Sequence, residues 1–480
     1  MLRILKKEPQ LLVFLFITIL LAIFFRTYRY FDRIYIYADN ALFVQAAYFA
    51  KDNLKIPQIG PFAQAPFFTG PWWLWILEIL FIFPFGLLTP WYFMSFASSI
   101  FIILIYFAGK EIGGKKLGVL SAFLAAISTG QIDNSFMTWN AAADPYFGLL
   151  AVLLLLKFIK TKKPVYIFFL GFCVSLATTI HFQTFLLAGT ILVALLARKP
   201  TIKNLLALAI GGLIPLLPFL YFDLRFYWFE TRRILDYVLI GQHRIYVPNR
   251  WLTYAGVFWP ESWAWIIGGK KWIAYLIIGL VSMFSLVRLK DYKKCWNYYL
   301  VAVSFVISVV LLRYYKGERF FYFTNYAHAF VILLTAWAIL ELSRFKKFIG
   351  IIFALIVISF TILQSVKNFQ PRVVTYGQVN KLTSEIYQKY PNSNFDIYEC
   401  PFTASLISTP VSYIMYYNGR NTLDGIKIGV CSEKFKLSWR EVNDQEINKE
   451  FGYQHKSTPN IYTEMTEWWV INPPKPDLLY

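Results

Sequence analysis

The chain has 480 residues, of which 58% are hydrophobic, 20% aromatic and only 15% charged. Typical soluble domains have about 45–50% apolar and about 25% charged residues, so this composition, with a mean hydropathy of +0.50, excludes an ordinary soluble protein. The formal net charge of +20 would suggest nucleic-acid binding in a soluble chain, but here it first has to be tested as a signal of membrane orientation.

Uncharged segments follow one another along the first 366 residues, and short charged loops separate them. Such segments are typical of transmembrane helices. The predicted spans are residues 11–25, 91–108, 117–132, 145–156, 164–180, 182–197, 205–222, 272–287, 297–312, 320–340 and 348–366. Residues 72–83 are a further candidate, but a helix of that length covers only about 18 Å of a hydrocarbon core that is about 30 Å thick.

The distribution of basic residues indicates whether residues 72–83 cross. If they do not, the N-terminus and the short loops on its side of the membrane carry twenty basic and four acidic residues, as expected for cytoplasmic loops. If they do, the later basic loops all lie outside. We therefore predict eleven spans, an outer juxtamembrane helix at 72–83, and a plasma-membrane protein with a cytoplasmic N-terminus and an exterior C-terminus. The charge excess is then a topology signal and does not support nucleic-acid binding.

The tail from about residue 367 to residue 480 differs from the rest in composition, with 12 basic and 12 acidic residues. Residues 381–390 predict a helix. Alternating or β-branched runs predict strands at residues 395–400, 410–417 and 467–472. We therefore expect a small exterior α/β domain at the end of the chain.

The predicted fold is an all-α polytopic membrane domain at residues 1–366, followed by an exterior domain at residues 367–480. Two outer segments of the membrane domain, 26–90 and 223–271, are expected to carry juxtamembrane helices. Cys400 and Cys431 both fall in the exterior domain, where they either pair in an oxidising compartment or remain two buried free thiols.

Acidic and imidazole groups gather at the predicted outer face. Asp39 lies near the start of a helical segment after the first span, where it is either a helix cap or a functional carboxylate. Asp144 precedes Pro145 at the start of the fourth span, again a favourable N-cap position, but a carboxylate held there also suits a base or a metal ligand. His181 ends the fifth span and is either an interfacial polar residue or part of a site.

Basic residues between the ninth and tenth predicted spans, Arg313, Lys316 and Arg319, run against the positive-inside rule. They either bind phosphate, for which arginine offers a bidentate fork, or reach towards lipid head groups. No Walker loop, HExxH sequence, cysteine-rich metal motif or Rossmann glycine pattern is present in the sequence. Nucleotide chemistry is therefore not expected.

The order of these parts resembles the GT-C class of integral-membrane glycosyltransferases, and more narrowly the family of protein O-mannosyltransferases and lipid A aminoarabinose transferases. Asp39 is similar to the acidic residue of the family's first outer loop, and residues 65–80 resemble the juxtamembrane helix that follows it. Asp144 resembles the family's second acidic residue, which follows the third span. Arg319 in KGERFFYF resembles the arginine that the family has late in the membrane domain. The tail has no WWDYG-type motif, which argues against an oligosaccharyltransferase catalytic subunit.

The resemblance implies inverting transfer of one sugar from a polyprenyl-phosphate donor to a lipid, glycan or protein acceptor at the outer face. Asp39 would be the base and Asp144 a second catalytic residue. Arg319, Lys316 and Arg313 would bind the phosphate, and His181, Asn140 and Gln183 the sugar.

No cofactor is required for this chemistry, although Asp39, Asp144 and His181 could together hold a divalent cation. The rival interpretation is a transporter or flippase for a lipid-linked or anionic substrate. Such a protein should show repeated halves or broken paired helices, and it leaves the exterior tail without a purpose.

Overall fold

A computed structural model describes residues 9–37, 39–61, 63, 67–240, 250–315, 319–370, 374–401, 407–433, 436–449 and 454–455. The described helices that precede the tail are α1 (Pro9–Thr27), α2 (Asp39–Asp52), α3 (Trp72–Leu80), α4 (Thr89–Gly113), α5 (Lys115–Ile127), α6 (Thr129–Asn134), α7 (Asp144–Thr161), α8 (Pro164–Ile180), α9 (Ala188–Ala197), α10 (Ile202–Arg225), α11 (Phe229–Leu239), α12 (Arg250–Thr253), α13 (Trp259–Ile266), α14 (Lys271–Val287), α15 (Trp296–Tyr314), α16 (His328–Phe345) and α17 (Lys347–Lys367). Two 3₁₀ segments, Phe182–Leu187 and Phe321–Ala327, lead directly into α9 and α16.

Local sequence accounts for several of these limits. A proline stands in the first turn of α4, α7 and α8, where its fixed φ suits a helix start and its missing N–H would have had no partner. After α4 the chain turns at Gly114, whose φ of 83° favours glycine. The next helix begins at Lys115, so α4 and α5 pack against each other as a hairpin.

Seven helical segments of the described chain are long and apolar enough to cross a membrane, and three further apolar helices are shorter. The chain is therefore a polytopic helical protein, while the count of eleven spans stays a prediction. The predicted third span, 117–132, is not one helix. It divides at Ser128, whose hydroxyl accepts a hydrogen bond from the Gln131 N–H and donates one to the Ile266 carbonyl.

Loops that were predicted on the cytoplasmic side meet at one end of the helices. Glu111 near the end of α4 forms ion pairs with Lys157 and Lys160 at the end of α7, and its carbonyl accepts from the Asn297 amide at the start of α15. Glu341 near the end of α16 pairs with Arg288 after α14. The short charged loops therefore share one face of the molecule, which we call the basic face.

The short helix α3 does not carry the chain from one face to the other. Before it, Gln45 in α2 donates to the Ser412 hydroxyl of the tail at 3.0 Å. After it, the Leu87 carbonyl accepts from the Tyr413 hydroxyl, in the same helix of the tail, at 2.6 Å. Both ends of the segment therefore lie on the face that carries the tail.

The described part of the tail consists of α18 (Tyr376–Lys389), β1 (Phe395–Glu399), α19 (Ser408–Tyr417), β2 (Ile426–Glu433), β3 (Lys436–Glu441), α20 (Asp444–Lys449) and β4 (Gln454–His455). The sheet has the order β3-β2-β1-β4, in which β1 and β2 are parallel and α19 connects them. The helix predicted at residues 381–390 and the strand predicted at residues 395–400 are confirmed.

The strand predicted at residues 410–417 is wrong, because these residues belong to α19. Apolar side chains cover every side of this segment, so its sequence does not distinguish a buried helix from a buried strand. Packing between α2, residues 87–91 and the sheet decides in favour of the helix. The strand predicted at residues 467–472 lies outside the described residues.

Cys400 and Cys431 are joined by a disulfide, with their Cα atoms 5.0 Å apart. Cys400 directly follows β1, and Cys431 lies in the parallel neighbour β2. Parallel pairing brings the two residues side by side although 31 positions separate them in sequence. The sequence left open a disulfide or two free thiols, and the structure has the disulfide.

Candidate active site

The face that carries the tail holds a cavity of about 430 Å³. Several segments at this face contribute to it: residues 63 and 67–69, the loop of residues 135–143 between α6 and α7 (called the second outer loop), the 3₁₀ segment before α9, α11, the end of α15 and the segment before α16. The lining residues are Asp39, Phe43, Ala63, Phe67, Thr69, Trp139, Asn140, Ala141, His181, Phe182, Gln183, Phe185, Ile234, Tyr237, Val238, Leu312, Tyr315, Tyr322 and Phe323. Most of the wall is aromatic or aliphatic, and it includes one carboxylate and one imidazole.

Asp39 is the first residue of α2, and its side chain lines the cavity. Among the described residues, no N–H or hydroxyl group donates a hydrogen bond to this carboxylate. Burial raises the pKa of Asp39 above its ordinary value, because desolvation disfavours the charged form. A carboxylate that caps no helix and faces a cavity is available to accept a proton from a bound molecule.

Asn40 fixes the position of its neighbour Asp39. The Asn40 amide oxygen accepts from the backbone N–H of Thr138 at 2.7 Å and of Trp139 at 3.2 Å. The Asn40 carbonyl accepts from the Thr138 hydroxyl. The start of α2 is therefore attached to the second outer loop, although the two segments are about a hundred residues apart in sequence.

Asp144 and His181 form a buried pair. His181 Nδ1 lies 2.5 Å from Asp144 Oδ2, and Asp144 Oδ1 has no hydrogen-bond partner among the described residues. His181 lines the cavity, whereas Asp144 lies behind it and is not among the lining residues. The predicted N-cap role of Asp144 is wrong: it is the first residue of α7, and its carboxylate faces His181 instead of the N–H groups of its own helix.

The two predicted polar contacts with the sugar differ in their availability. Asn140 lines the cavity, but its amide nitrogen donates to the Ile180 carbonyl at 2.9 Å and its oxygen accepts from the Ala141 N–H. It therefore holds the second outer loop against the end of α8. Gln183 also lines the cavity, two residues after His181.

The predicted phosphate-binding residues lie beside the cavity and are not among its described lining residues. Arg319 donates through Nη2 to the Tyr315 carbonyl at 2.7 Å, and its guanidinium lies 4.9 Å from the centre of the Tyr254 ring. Arg313 lies over the Trp251 ring at 4.4 Å. Lys316 lies outside the described residues. Because Tyr315 lines the cavity, the Arg319 guanidinium is one residue removed from the wall.

Sequence reasoning missed a buried carboxyl group that holds one wall together. Glu230, at the start of α11, accepts from the Phe68 N–H at 2.9 Å and so connects α11 to residues 67–69. Burial raises the pKa of Glu230 to about 8, and the nearby Asp223 carboxylate acts in the same direction. The only sequence signal was a charged residue in an aromatic-rich outer segment, which did not indicate burial.

The tail approaches the same site through Tyr37. The pKa of Tyr37 is raised first by burial, and then by the negative charges of Glu399, at the end of β1, and of Asp39. Glu399 is itself buried and accepts from the Ser408 hydroxyl at 2.7 Å. The carboxyl end of β1 therefore lies towards the part of the membrane domain that carries Asp39.

The described residues offer an incomplete set of metal ligands. They contain no group of three or more His, Cys, Asp or Glu side chains placed to hold a metal ion. His181 Nδ1 is already engaged by Asp144, so only Asp39 and the second nitrogen of His181 face the cavity. We therefore assign no chemical step to a metal.

No family model and no curated protein matches the sequence. Solved structures do match: ArnT from Cupriavidus metallidurans bound to undecaprenyl phosphate has a TM-score of 0.55 at 8% identity, over 89% of this chain and 93% of that one. The oligosaccharyltransferase AglB from Archaeoglobus fulgidus, in complex with an inhibitory peptide and a dolichol-phosphate, has a TM-score of 0.52 at 13% identity, over 80% and 59%. The same enzyme tethered to an acceptor peptide has a TM-score of 0.53 at 12% identity, over 85% and 63%.

Both proteins are GT-C glycosyltransferases. The chain has the GT-C fold. The chain spans about three fifths of the length of the archaeal enzyme, but nearly all of ArnT. With its seven apolar helices, this GT-C chain is a multi-pass membrane protein, and the predicted resemblance is confirmed at the level of the fold.

Proposed function

We propose that this GT-C protein transfers a single sugar from a polyprenyl-phosphate donor to an acceptor hydroxyl at the outer face, with inversion at the anomeric carbon. The observation that carries the proposal is that Asp39 and the His181–Asp144 pair converge on one cavity, at the face that bears the tail. The orientation belongs to the proposal: the basic face is cytoplasmic, and the cavity and tail are exterior, at the plasma membrane.

The cavity suits a donor that is partly lipid. Its wall is largely aromatic and aliphatic, and Leu312 and Phe323 continue it into apolar helical segments. Sugars present apolar ring faces as well as hydroxyl groups, and aromatic side chains with polar tips offer both kinds of contact. The similar structures of ArnT and AglB contain undecaprenyl phosphate and dolichol-phosphate, respectively, which supports a donor of this class.

Asp39 would act as the general base. The acceptor oxygen attacks the anomeric carbon, and its proton passes to the Asp39 carboxylate as the new glycosidic bond forms. At the same time the bond between the anomeric carbon and the phosphate oxygen breaks, and its electron pair leaves with the polyprenyl phosphate. The raised pKa of Asp39 favours this role, since a carboxylate that binds a proton more tightly is a stronger base.

His181 and Asp144 would position the sugar. Asp144 engages Nδ1 of the imidazole and so fixes the orientation of the ring, which leaves the second ring nitrogen for a hydroxyl group of the donor. Gln183 would add a second polar contact from the same segment. Asp144 would then be a positioning residue that acts through His181.

The phosphate would leave towards the basic residues beside the cavity. A leaving phosphate monoester gains negative charge, which cationic groups stabilise. Arg319 is the strongest candidate, because it already contacts the carbonyl of the lining residue Tyr315. Arg313 and Lys316 belong to the same segment and would assist it.

The proposal is tested with the purified full chain and a panel of polyprenyl-phosphate-linked sugars in liposomes. We expect one donor to release free polyprenyl phosphate when an acceptor is present, and the product to have the opposite anomeric configuration by NMR. Movement of intact donor between leaflets without cleavage would instead establish the transporter interpretation. Retention of configuration would contradict the single displacement step.

A further inference from the structure

A second cavity lies at the opposite end of the helices from the candidate active site. It is a groove of about 360 Å³ between α1, α5, α16 and α17. The lining residues are Phe14, Lys116, Val119, Leu120, Ile339, Leu340, Ser343, Gly350, Ile351, Ala354 and Leu355. Except for Lys116 and Ser343 the wall is apolar, and nothing in the proposed catalytic step uses it.

The groove opens to the side of the helix bundle. Ile351 and Leu355 are 46% and 57% exposed, and both belong to α17, which is long and apolar enough to span a membrane. In the first turn of α17, Gly350 lies so close to Ser343 near the end of α16 that an added Cβ would collide with it. The turn between α16 and α17 is therefore tight, and the apolar groove begins directly beside it.

Some of the charge on the basic face is neutralised by ion pairs, whereas other lysines, such as Lys110 and Lys163, form no ion pair with a described acidic residue. Glu111 pairs with Lys157 and Lys160, and Glu341 pairs with Arg288 and Arg344. Lys116 at the rim of the groove forms no ion pair with any described acidic residue. The same holds, within the described chain, for Lys346 and Lys347 at the turn between α16 and α17.

An apolar groove that opens to the side of the helices, with lysines near its rim that pair with no described acidic residue, is complementary to one class of molecule. A phospholipid combines an acyl chain with a phosphate, and only an anionic phospholipid has net negative charge to offer the lysines. Basic pockets between transmembrane helices bind anionic head groups in this way. Loss of one lysine near an anionic surface weakens such binding by about 1 kcal/mol, or about five-fold.

We propose that this groove is a specific site for an anionic phospholipid of the leaflet at the basic face. One acyl chain lies between α1, α5, α16 and α17, and the phosphate lies beside Lys116, with Lys346 and Lys347 adding to the positive potential. The site is independent of the proposed transfer reaction, because it lies at the other end of the helices from Asp39.

The test uses the full chain reconstituted in nanodiscs of phosphatidylglycerol and phosphatidylcholine in equal amounts, followed by native mass spectrometry of the lipid that remains bound after detergent extraction. We expect wild-type protein to retain phosphatidylglycerol in preference to phosphatidylcholine. Lys116→Gln should lower that preference about five-fold. Ala354→Trp, which fills the apolar part of the groove, should abolish the retention of the tightly bound lipid.

Lys163→Gln is the matched control, because Lys163 is exposed on the basic face and does not line the groove. Its lipid preference should equal that of wild type. Equal retention of the two lipids by wild-type protein would overturn the proposal, as would an unchanged preference in Lys116→Gln. An equal fall in Lys163→Gln would show a general attraction of the basic face and would also overturn it. Because Lys116 is exposed, its variant is informative even if Ala354→Trp does not fold.

Discussion

The starts of α2 and α7 look alike in sequence but differ in structure. Each begins with an aspartate at the face that carries the tail, and each aspartate could be interpreted from the sequence as a helix cap. In the structure, Asp39 faces the cavity and accepts no hydrogen bond from a described residue, whereas Asp144 is buried behind His181 and bonded to it. Neither carboxylate caps its own helix.

The difference indicates different roles for the two carboxylates in the proposed reaction. A carboxylate that contacts the cavity can take a proton from a bound hydroxyl group, but a carboxylate behind an imidazole can act only by orienting that imidazole. Two equivalent acidic residues would give variants with equal defects. The structure instead predicts a larger loss of activity for the Asp39 variant than for the Asp144 variant.

The largest effect is expected for Asp39→Asn. Removing the general base should lower the transfer rate, measured as release of polyprenyl phosphate, by about 10²- to 10⁴-fold. Expression and donor binding should be preserved. Asp52→Asn, an exposed aspartate at the other end of the same helix, should have nearly wild-type turnover. Full activity of Asp39→Asn would move the base to another residue, with His181 the first to test.

A smaller effect is expected for Asp144→Asn. The isosteric amide keeps the shape of the pair but removes the charge that orients His181. We expect a loss of about 10- to 100-fold, the size found when the outer-shell partner of a metal-bound histidine is changed. Kinetics with varied donor separate the effect on kcat from that on KM. A loss of activity as large as that of Asp39→Asn would contradict the different roles proposed for the two carboxylates.

The pH dependence separates the two residues without removing the base. Asp39 must be deprotonated to accept a proton, and burial raises its pKa. Activity should therefore fall as the pH is lowered, with a midpoint above the value of about 4 for an ordinary carboxyl group. The residual activity of Asp144→Asn should keep this acidic limb. Its disappearance in that variant would show that the acidic limb does not report Asp39.

The smallest effect is expected for Gln183→Ala, which removes an uncharged polar contact from the cavity wall. A neutral hydrogen bond contributes about 0.5–1.5 kcal/mol, so KM for the donor should rise a few-fold while kcat changes little. Isothermal titration with the donor measures the same loss directly. An unchanged KM would place the sugar away from the His181 segment.

Much of the fold could be predicted because transmembrane segments are defined by local composition. Each predicted span falls on helical residues of the described chain. The third divides at Ser128, because Ser128 caps the next helix and bonds to Ile266, and neither contact changes the hydropathy of the sequence. The secondary structure of the tail was harder to predict. Residues 410–417 are apolar on all sides, so their helical state depends on distant partners such as Gln45 and Leu87.

The site could be predicted as a set of residues but not as an arrangement. Asp39, Asn140, His181 and Gln183 do line one cavity. The pairing of Asp144 with His181 joins helices 37 residues apart, and no local pattern encodes it. Arg319 was predicted to bind phosphate because it runs against the positive-inside rule and because KGERFFYF resembles the family motif. In the structure its partners are the Tyr254 ring and nearby carbonyls.

The contact between α2 and the tail has a consequence for the order in which the protein matures. The helix that begins with Asp39 is held at Gln45 by Ser412, and Tyr48 packs on Tyr417 with ring centres 4.7 Å apart. These partners are made more than 360 residues later in the chain. During synthesis, these contacts of α2 can therefore form only after residues 412–417 have been made. Under the proposed function, the protein would act on lipid-linked sugar only once the tail has folded against α2.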